Sequence, residues 1–184
     1  MAFEIDLPPL TWHPNSSANA PALNMVSQTY LKRPYWAFDN SLSENIASQQ
    51  LVMPSNYDSS AALKVKILCG HNVQKTGLDR MVKWEIFCES IAAFGSASDA
   101  AQGEGVMTGN SMSLTANGGE VTFSTGAIFP MYAIDITLTN NDSAAAGKPI
   151  RVSLARQLTV SGGGSSLTNY SDDALFFGAM LFQE

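Results

Sequence analysis

Few residues of this chain could do acid–base or metal chemistry, and they are widely separated. His13 lies in a proline-rich segment and His71 in a predicted loop, and neither has a second ligand-type residue close by in sequence. Asp142 and the pair Asp172-Asp173 could bind calcium, but the alternating acidic loop of calcium-binding motifs is absent. We therefore expect solvated histidines, turn-forming carboxylates, no metal site and no cofactor.

A motif for nucleophilic catalysis is also missing. Residues 109–113 come nearest to a G-x-S-x-G elbow but fail it at the last position, so we name no catalytic residue. A carboxylate pair for glycoside hydrolysis would come from distant strands and leave no local motif, and this alternative stays open. Among the tryptophans that could stack on a sugar, Trp84 has the spacing of core residues and Trp36 lies in an apolar run. Trp12 is left as the candidate platform.

The elements that would position such residues are β-strands. Apolar and polar residues alternate in the segments 62–69, 81–91, 134–138 and 150–155, which is the period of half-buried strands. The last two segments, joined by the turn-rich residues 140–149, predict two antiparallel strands with one wet face. The residues predicted to face the core are Leu63, Val65, Ile67, Val82, Trp84, Ile86, Ile134, Ile136, Leu138, Ile150, Val152 and Leu154.

Less regular strands complete the count. We predict strands at 35–38, at 44–53 and at 174–183, although residues 43–50 could instead start a helix. Asn117-Gly118, between 111–115 and 120–125, predicts a hairpin turn. Residues 94–109 and 161–166 have the composition of surface loops. About eight antiparallel strands predict an all-β fold, a single jelly-roll-like β-sandwich with no helix longer than about two turns.

The N-terminal segment differs from the rest in composition. Residues 1–34 carry five prolines among Asn, Ser and Ala, which is typical of an extended segment. We therefore predict an extended N-terminal arm over 1–34 and a jelly-roll domain over 35–184. The arm either folds back on its own domain or is held by neighbouring subunits.

The predicted strand 174–183 is apolar on both faces. Phe176, Met180 and Phe182 alternate with Leu175, Phe177 and Leu181, so both faces should be covered. A subunit interface and burial under the chain's own arm are the two explanations.

Arg156 has the same parity as the core residues of its strand, which would point a charge inward. Because an unpaired buried charge is very costly, we expect Arg156 at a sheet edge or beside a carboxylate.

Composition limits the partners. The 184 residues include 14% charged residues, well below the roughly 25% of soluble domains, and charge-poor surfaces often contact other molecules. A net charge of -6 with ten scattered basic residues disfavours nucleic acid and anionic membrane. We find no transmembrane run and no signal peptide, and expect a protein made in a cytoplasm, with Cys69 and Cys88 reduced and buried.

Several segments together resemble a family. The likeness covers residues 35 to 184 and rests on Tyr35-Trp36-Ala37-Phe38-Asp39, Met53-Pro54-Ser55-Asn56-Tyr57 before Leu63-Lys64-Val65-Lys66-Ile67, Trp84, Leu138-Thr139-Asn140-Asn141-Asp142-Ser143, Ala146-Gly147-Lys148 and Ile150-Arg151-Val152-Ser153-Leu154-Ala155-Arg156. These resemble small jelly-roll virion proteins of tailed bacteriophages, of the capsid decoration (cement) type.

The resemblance implies a structural role and no enzyme activity. We expect a decoration protein that binds the major capsid protein on the outside of a phage head, as a homo-oligomer and preferably a homotrimer. The alternative is a tail-fibre or receptor- or carbohydrate-binding module of a phage. The residues expected at the assembly interface are Phe3, Ile5, Leu7, Leu10, Trp12, Leu175, Phe177 and Leu181.

Overall fold

A computed structural model of the chain consists almost entirely of β-strands. It describes residues 2–14, 20–28, 31–40, 44–49, 51–73, 79–90, 117–123, 130–139, 141, 144–157 and 168–184. Within these ranges the only helix is the three-residue 3-10 turn Pro9–Thr11. The prediction of an all-β sandwich is confirmed.

The strands form two sheets. The first contains β1 (Phe3–Leu7), β3 (Ala22–Gln28), β4 (Leu31–Phe38), β7 (Leu63–His71), β10 (Met131–Thr137) and β13 (Ala174–Gln183). The second contains β2 (Trp12–Pro14), β5 (Asn45–Ser48), β6 (Leu51–Val52), β8 (Asp79–Ser90), β9 (Asn117–Thr122), β11 (Pro149–Gln157) and β12 (Thr168–Asn169).

The central strand of the first sheet is β13. It pairs antiparallel with β7 along most of its length, with β4 near its start and with β1 near its end. The sheet order is β10-β7-β13-β4-β3. The second sheet has the order β12-β8-β11-β5-β2, and only the short β12 runs parallel to its neighbour.

The core lies between the two sheets and matches the alternation in the sequence. All twelve residues predicted to face it are buried, except that Ile134 is half-buried and packs against the others. Trp84 is fully buried and its ring meets Phe38 edge to face, with centroids 5.2 Å apart. Cys69 and Cys88 are buried and are not joined by a disulfide, and burial raises the pKa of the Cys69 thiol to about 12. Such a thiol is unreactive at neutral pH.

Two predicted pairings are wrong. The strands at 134–138 and 150–155 belong to β10 and β11, which lie in different sheets. β10 pairs with β7, and β11 pairs along most of its length with β8. Asn117 and Gly118 lie inside β9, not in a turn. The reason is packing: a Cβ on Gly119 would come within 2.7 Å of Ile136, so glycine allows β9 to lie close to the other sheet.

The segment at 44–53 is strand, as expected, since β5 and β6 both lie there and no helix forms in its described residues. The predicted loops at 94–109 and 161–166, the strand at 111–115 and Asp142 lie outside the described residues. No described helix is long and apolar enough to cross a membrane.

The N-terminal segment is extended, but it is not an arm outside the packed domain. β1 pairs with the end of β13, and β3 pairs with β4 over its whole length. Leu7 and Trp12 are buried in the same core as residues of the 35–184 region. The expected boundary at residue 35 therefore does not separate an arm from a domain, because four of the five prolines fall between strands or at their ends, and Pro34, inside β4, keeps its place opposite Met25 of β3.

Both faces of β13 are covered within the chain. Its inward residues join the main core, whereas Leu175 and Phe177 form a second, outer cluster with Val26, Tyr35 and Ala37. The guanidinium of Arg33 lies 5.9 Å from the centre of the Phe177 ring. The N-terminal segment thus covers part of the outer face of β13.

Candidate functional site

The tryptophans are not sugar platforms. Trp12, Trp36 and Trp84 are all buried. The indole N–H of Trp12 donates to the carbonyl of Leu7 at 3.1 Å, and that of Trp36 donates to the carbonyl of Pro9 at 2.9 Å. Among the described Phe, Tyr and Trp side chains, only Tyr132 is more than marginally exposed.

Most of the residues expected at an assembly interface are used inside the chain. Phe3, Leu7, Trp12, Leu175, Phe177 and Leu181 are buried, and Ile5 is half-buried. Leu10, in the 3-10 turn, is 67% exposed. Of these eight residues, Leu10 has the most surface to offer another molecule.

Charged residues converge at the end of the sandwich where β13 begins. We call this region the charged end and define it as Asp39, Glu44, Arg156, Asp172 and Asp173. Asp39 follows β4, Asp172 and Asp173 precede β13, and Arg156 is near the last residue of β11. Antiparallel pairing of β4 with β13 places the end of one strand beside the start of the other, with Phe38 opposite Ala174.

Arg156 is the buried centre of the charged end. Its guanidinium donates to the carbonyl of Phe38 at 2.9 Å, to that of Asp172 at 2.7 Å and to that of Tyr170. Arg156 thereby connects β11 to the end of β4 and to the segment that precedes β13. Burial lowers the pKa of Arg156 to about 10, and the charges of Asp173 and Asp39 oppose that shift. Arg156 stays charged at neutral pH.

The sequence pattern predicted that Arg156 points inward and lies at a sheet edge or beside a carboxylate. It faces inward, it is 2% exposed, and nearby carboxylates compensate its charge. Its guanidinium donates to main-chain carbonyls, which the sequence pattern does not specify because they lie 14 to 118 residues away.

The carboxylates of the charged end are held in unfavourable surroundings. Glu44 is buried and its Oε2 accepts a hydrogen bond from the backbone N–H of Asp39 at 2.5 Å. Burial raises the pKa of Glu44 despite this bond. Burial also raises the pKa of Asp173, and the neighbouring charge of Asp39 adds to the effect. Desolvated carboxylates of this kind often occur at binding sites.

Beside the charged end lies a cluster of aromatic rings, formed by His71, Phe123, Tyr132 and Tyr170. The ring of Tyr170 connects the two groups, since its centroid is 5.9 Å from the Arg156 guanidinium and 5.8 Å from the His71 ring. The expectation of a solvated His71 is wrong, because the side chain is 1% exposed. Burial lowers the pKa of His71, which favours the neutral ring.

This end of the molecule also holds unused hydrogen-bonding capacity. Within the described part of the chain, four buried polar atoms here have no hydrogen-bond partner: Nε of Arg156, Nε2 of His71, Oδ1 of Asn72 and Oε1 of Gln157. Buried polar groups are normally paired, so a cluster of exceptions is a feature that needs an explanation.

The arrangement at the charged end can hold a ligand through hydrogen bonds. Among the described residues no group of His, Cys, Asp and Glu side chains could hold a metal ion. Carboxylates accept hydrogen bonds from the hydroxyls of a polyhydroxyl ligand, a guanidinium donates to them, and an amide can do both. The parity of Arg156 was the one signal in the sequence that pointed to this end. The acidic residues come together only through the pairing of β4 with β13.

Comparison with known proteins gives a fold likeness. No family model and no curated protein matches the chain. Among solved structures, the N-terminal CBM22-1-CBM22-2 tandem domain from Paenibacillus barcinonensis is similar, with a TM-score of 0.50 and 6% identity over 99% of this chain and 50% of that one. At this identity the likeness concerns the fold, and it spans about half of the tandem chain.

Two further structures are similar at lower scores. The family 11 carbohydrate-binding module from Clostridium thermocellum, in complex with a mixed-linked tetrasaccharide, has a TM-score of 0.47 and 11% identity over 97% of this chain and 94% of that one. The mannan-recognising module TmCBM27 has a TM-score of 0.45 and 9% identity over 100% and 99%. Both scores are too low to add to the argument. The structural neighbours are β-sandwich carbohydrate-binding modules.

Proposed function

We propose that this chain is a non-catalytic binding module that takes a carbohydrate at its charged end. The observation that carries the proposal is the group of half-exposed carboxylates, Asp39, Asp172 and Asp173, around a buried arginine, next to buried polar atoms without partners. The fold likeness to a tandem of carbohydrate-binding modules supports the same class of function.

Hydroxyl groups fit this surface for a physical reason. A carboxylate accepts hydrogen bonds from two neighbouring hydroxyls, and such charge-assisted bonds are about twice as strong as neutral ones. The half-buried Tyr132 belongs to the aromatic cluster beside this surface. Since the described tryptophans are buried, selection by hydrogen bonding should matter more than stacking.

A glycan array followed by calorimetric titration of the strongest hit tests the proposal. We expect the double substitution Asp39→Asn/Asp173→Asn to weaken binding at least tenfold, with circular dichroism used to check that the variant is still folded, since both carboxylates also compensate the charge of Arg156. The matched control is Asp58→Asn, the same chemical change at an exposed site near the far end of β13. Absence of any glycan binding by the parent chain, or equal loss in the control, would contradict the proposal.

A second candidate function is the capsid decoration role, favoured by the residue pattern shared with phage virion proteins and by the exposure of Leu10. The partner would then be the major capsid protein on the head exterior. Truncation of residues 1–34 would remove three strands, so a point change is the better test. Leu10→Asp should weaken attachment to undecorated heads, whereas Val52→Asp, at another exposed apolar residue, in β6, should not. Equal attachment of both variants would remove this candidate.

A further inference from the structure

The edge strands of the two sheets differ in how they are protected. An exposed edge is a template for pairing with another chain, and proteins block it with charge, proline, bulges or short length. Charges mark β1 (Glu4, Asp6), β9 (Glu120) and β10 (Asp135), and the remaining edges other than β3 are two or three residues long. Each of these edges therefore carries at least one blocking feature.

β3 has none of these features. It is seven residues long, Ala22–Gln28, and contains no charged residue and no proline. Its register with β4 runs without a bulge, and in the described sheets it pairs with no other strand. Four consecutive residues, from Ala22 to Met25, are exposed, and Leu23 and Met25 reach 47% and 54%. Among the described strands, β3 is thus a long, uncharged edge without a further partner.

We infer that β3 is the site at which a second copy of this chain adds its own β3, so that the two first sheets join into one antiparallel sheet. Identical strands that pair antiparallel are related by a two-fold axis, which closes the assembly at two copies. Like charges would oppose pairing of a strand with itself, and this strand has no charge to do so.

The residue pattern selects the register. With Asn24 opposite Asn24 of the second copy, Leu23 of each chain lies opposite Met25 of the other, and Ala22 lies opposite Val26. Apolar residues then meet apolar residues on both faces, and the amides meet on the axis. Val26 already belongs to the outer cluster with Tyr35 and Phe177, so the partner's Ala22 would extend an existing apolar surface. Centring the pair on Met25 would instead place Asn24 against Val26.

A single-strand contact is smaller than the roughly 1,600 Å² of a standard interface, so the assembly should depend on concentration. Light scattering on the full chain at about 100 µM tests it, a concentration at which contacts of micromolar strength are populated. We expect a mass approaching twice the 19.6 kDa of one chain. Met25→Lys, which adds the kind of charge that other edges use, should restore the single-chain mass.

The matched control is Val52→Lys, because Val52 is 55% exposed and lies on the second sheet. It should leave the dimer intact. Asn24→Cys under a mild oxidant should give a disulfide-linked dimer, because directly opposed residues of an antiparallel pair meet the distance that a disulfide needs. Met25→Cys should cross-link several-fold less.

A parent chain that is monomeric, or a dimer that Met25→Lys leaves unchanged, would overturn the inference. Cross-linking that is stronger at Met25 than at Asn24 would overturn the register. These results are distinguishable from a failure of glycan binding, which is tested by substitutions at the charged end and not in β3.

Discussion

The two ends of β13 bury polar groups in different ways. At its far end, Gln183 is 2% exposed and makes a neutral clamp: its amide nitrogen donates to the carbonyls of Asp58 at 2.7 Å and Ala61 at 3.0 Å, and its oxygen accepts from the N–H of Asp58 at 2.9 Å. At the near end, Arg156 donates to three carbonyls and still has an Nε without a partner in the described chain. The buried group at the far end is neutral and satisfied, whereas the one at the near end is charged and incomplete.

The difference indicates a division of roles. A neutral amide can fix a loop to a strand at little desolvation cost, and the neutral clamp does this with every polar atom used. Buried charge is much more expensive, and a complete buried ion pair is often no more stabilising than apolar residues in place of both partners, although removal of one partner alone is costly. We interpret the charged end as the part of the sandwich that is shaped by binding, and the neutral clamp as a structural contact.

The largest expected effect is on Arg156. Arg156→Met removes the bonds to three carbonyls and leaves the nearby carboxylates without their compensating charge, so the free energy of unfolding should fall by about 3–5 kcal/mol. Urea denaturation with a shared slope measures it. If Arg156→Met lowered the free energy of unfolding by less than the substitution at the neutral clamp does, the buried charge would not be the more costly group to leave unpaired.

A smaller loss is expected at the neutral clamp. Gln183→Leu keeps the apolar volume but removes three hydrogen bonds, which should lower the free energy of unfolding by about 1–3 kcal/mol. Gln183→Glu is the control for shape: it keeps the size of the side chain and the acceptor for the N–H of Asp58, but replaces the donor amide by a charged group. If Leu is tolerated without loss, the clamp is not structural.

The sequence predicted the sandwich and its core well because period-two alternation reports directly on which face of a strand is buried. It gave β7 at 62–69, close to the observed Leu63–His71. It did not predict which strands pair: β10 and β11 are neighbours in the chain but lie in different sheets. It also missed β1 and β3, because the prolines of this segment indicate where strands end but do not show that strands lie between them.

The charged end was only partly predictable. Parity placed Arg156 inward, but its acceptors depend on long-range contacts, and Asp39 meets Asp173 across 133 intervening residues through the pairing of β4 with β13. His71 shows the opposite failure. It looked like a lone loop histidine, and it is buried because Phe123 and Tyr170 from distant segments pack on its ring.

The smallest expected effect concerns pH. Below its ordinary pKa of 4.5, Glu44 is protonated in both the folded and the unfolded chain. Because burial raises the folded-state pKa, the folded chain holds the proton to a higher pH, so its stabilising contribution is lost as pH rises through that value. Glu44→Gln should therefore gain stability relative to the parent between pH 4.5 and neutral pH.

Unfolding free energies of both chains across that range test this prediction. Groups that do not interact with Glu44 cancel in the difference, including His71, whose lowered pKa has the opposite sign and contributes stability that is present above pH 6.5. A difference that does not change with pH would contradict the raised pKa of Glu44, and with it the contrast between a charged end and a neutral one.

The most direct test of the central claim is to locate bound carbohydrate on the molecule. In a titration of isotope-labelled chain with the glycan that binds best, the amide signals of Asp39, Asn40, Asn72 and Asp173 should shift, while those of Asp58, Ala61 and Gln183 should not. Shifts confined to the neutral clamp, or an unchanged spectrum at saturating glycan, would contradict the assignment of the charged end as the binding site.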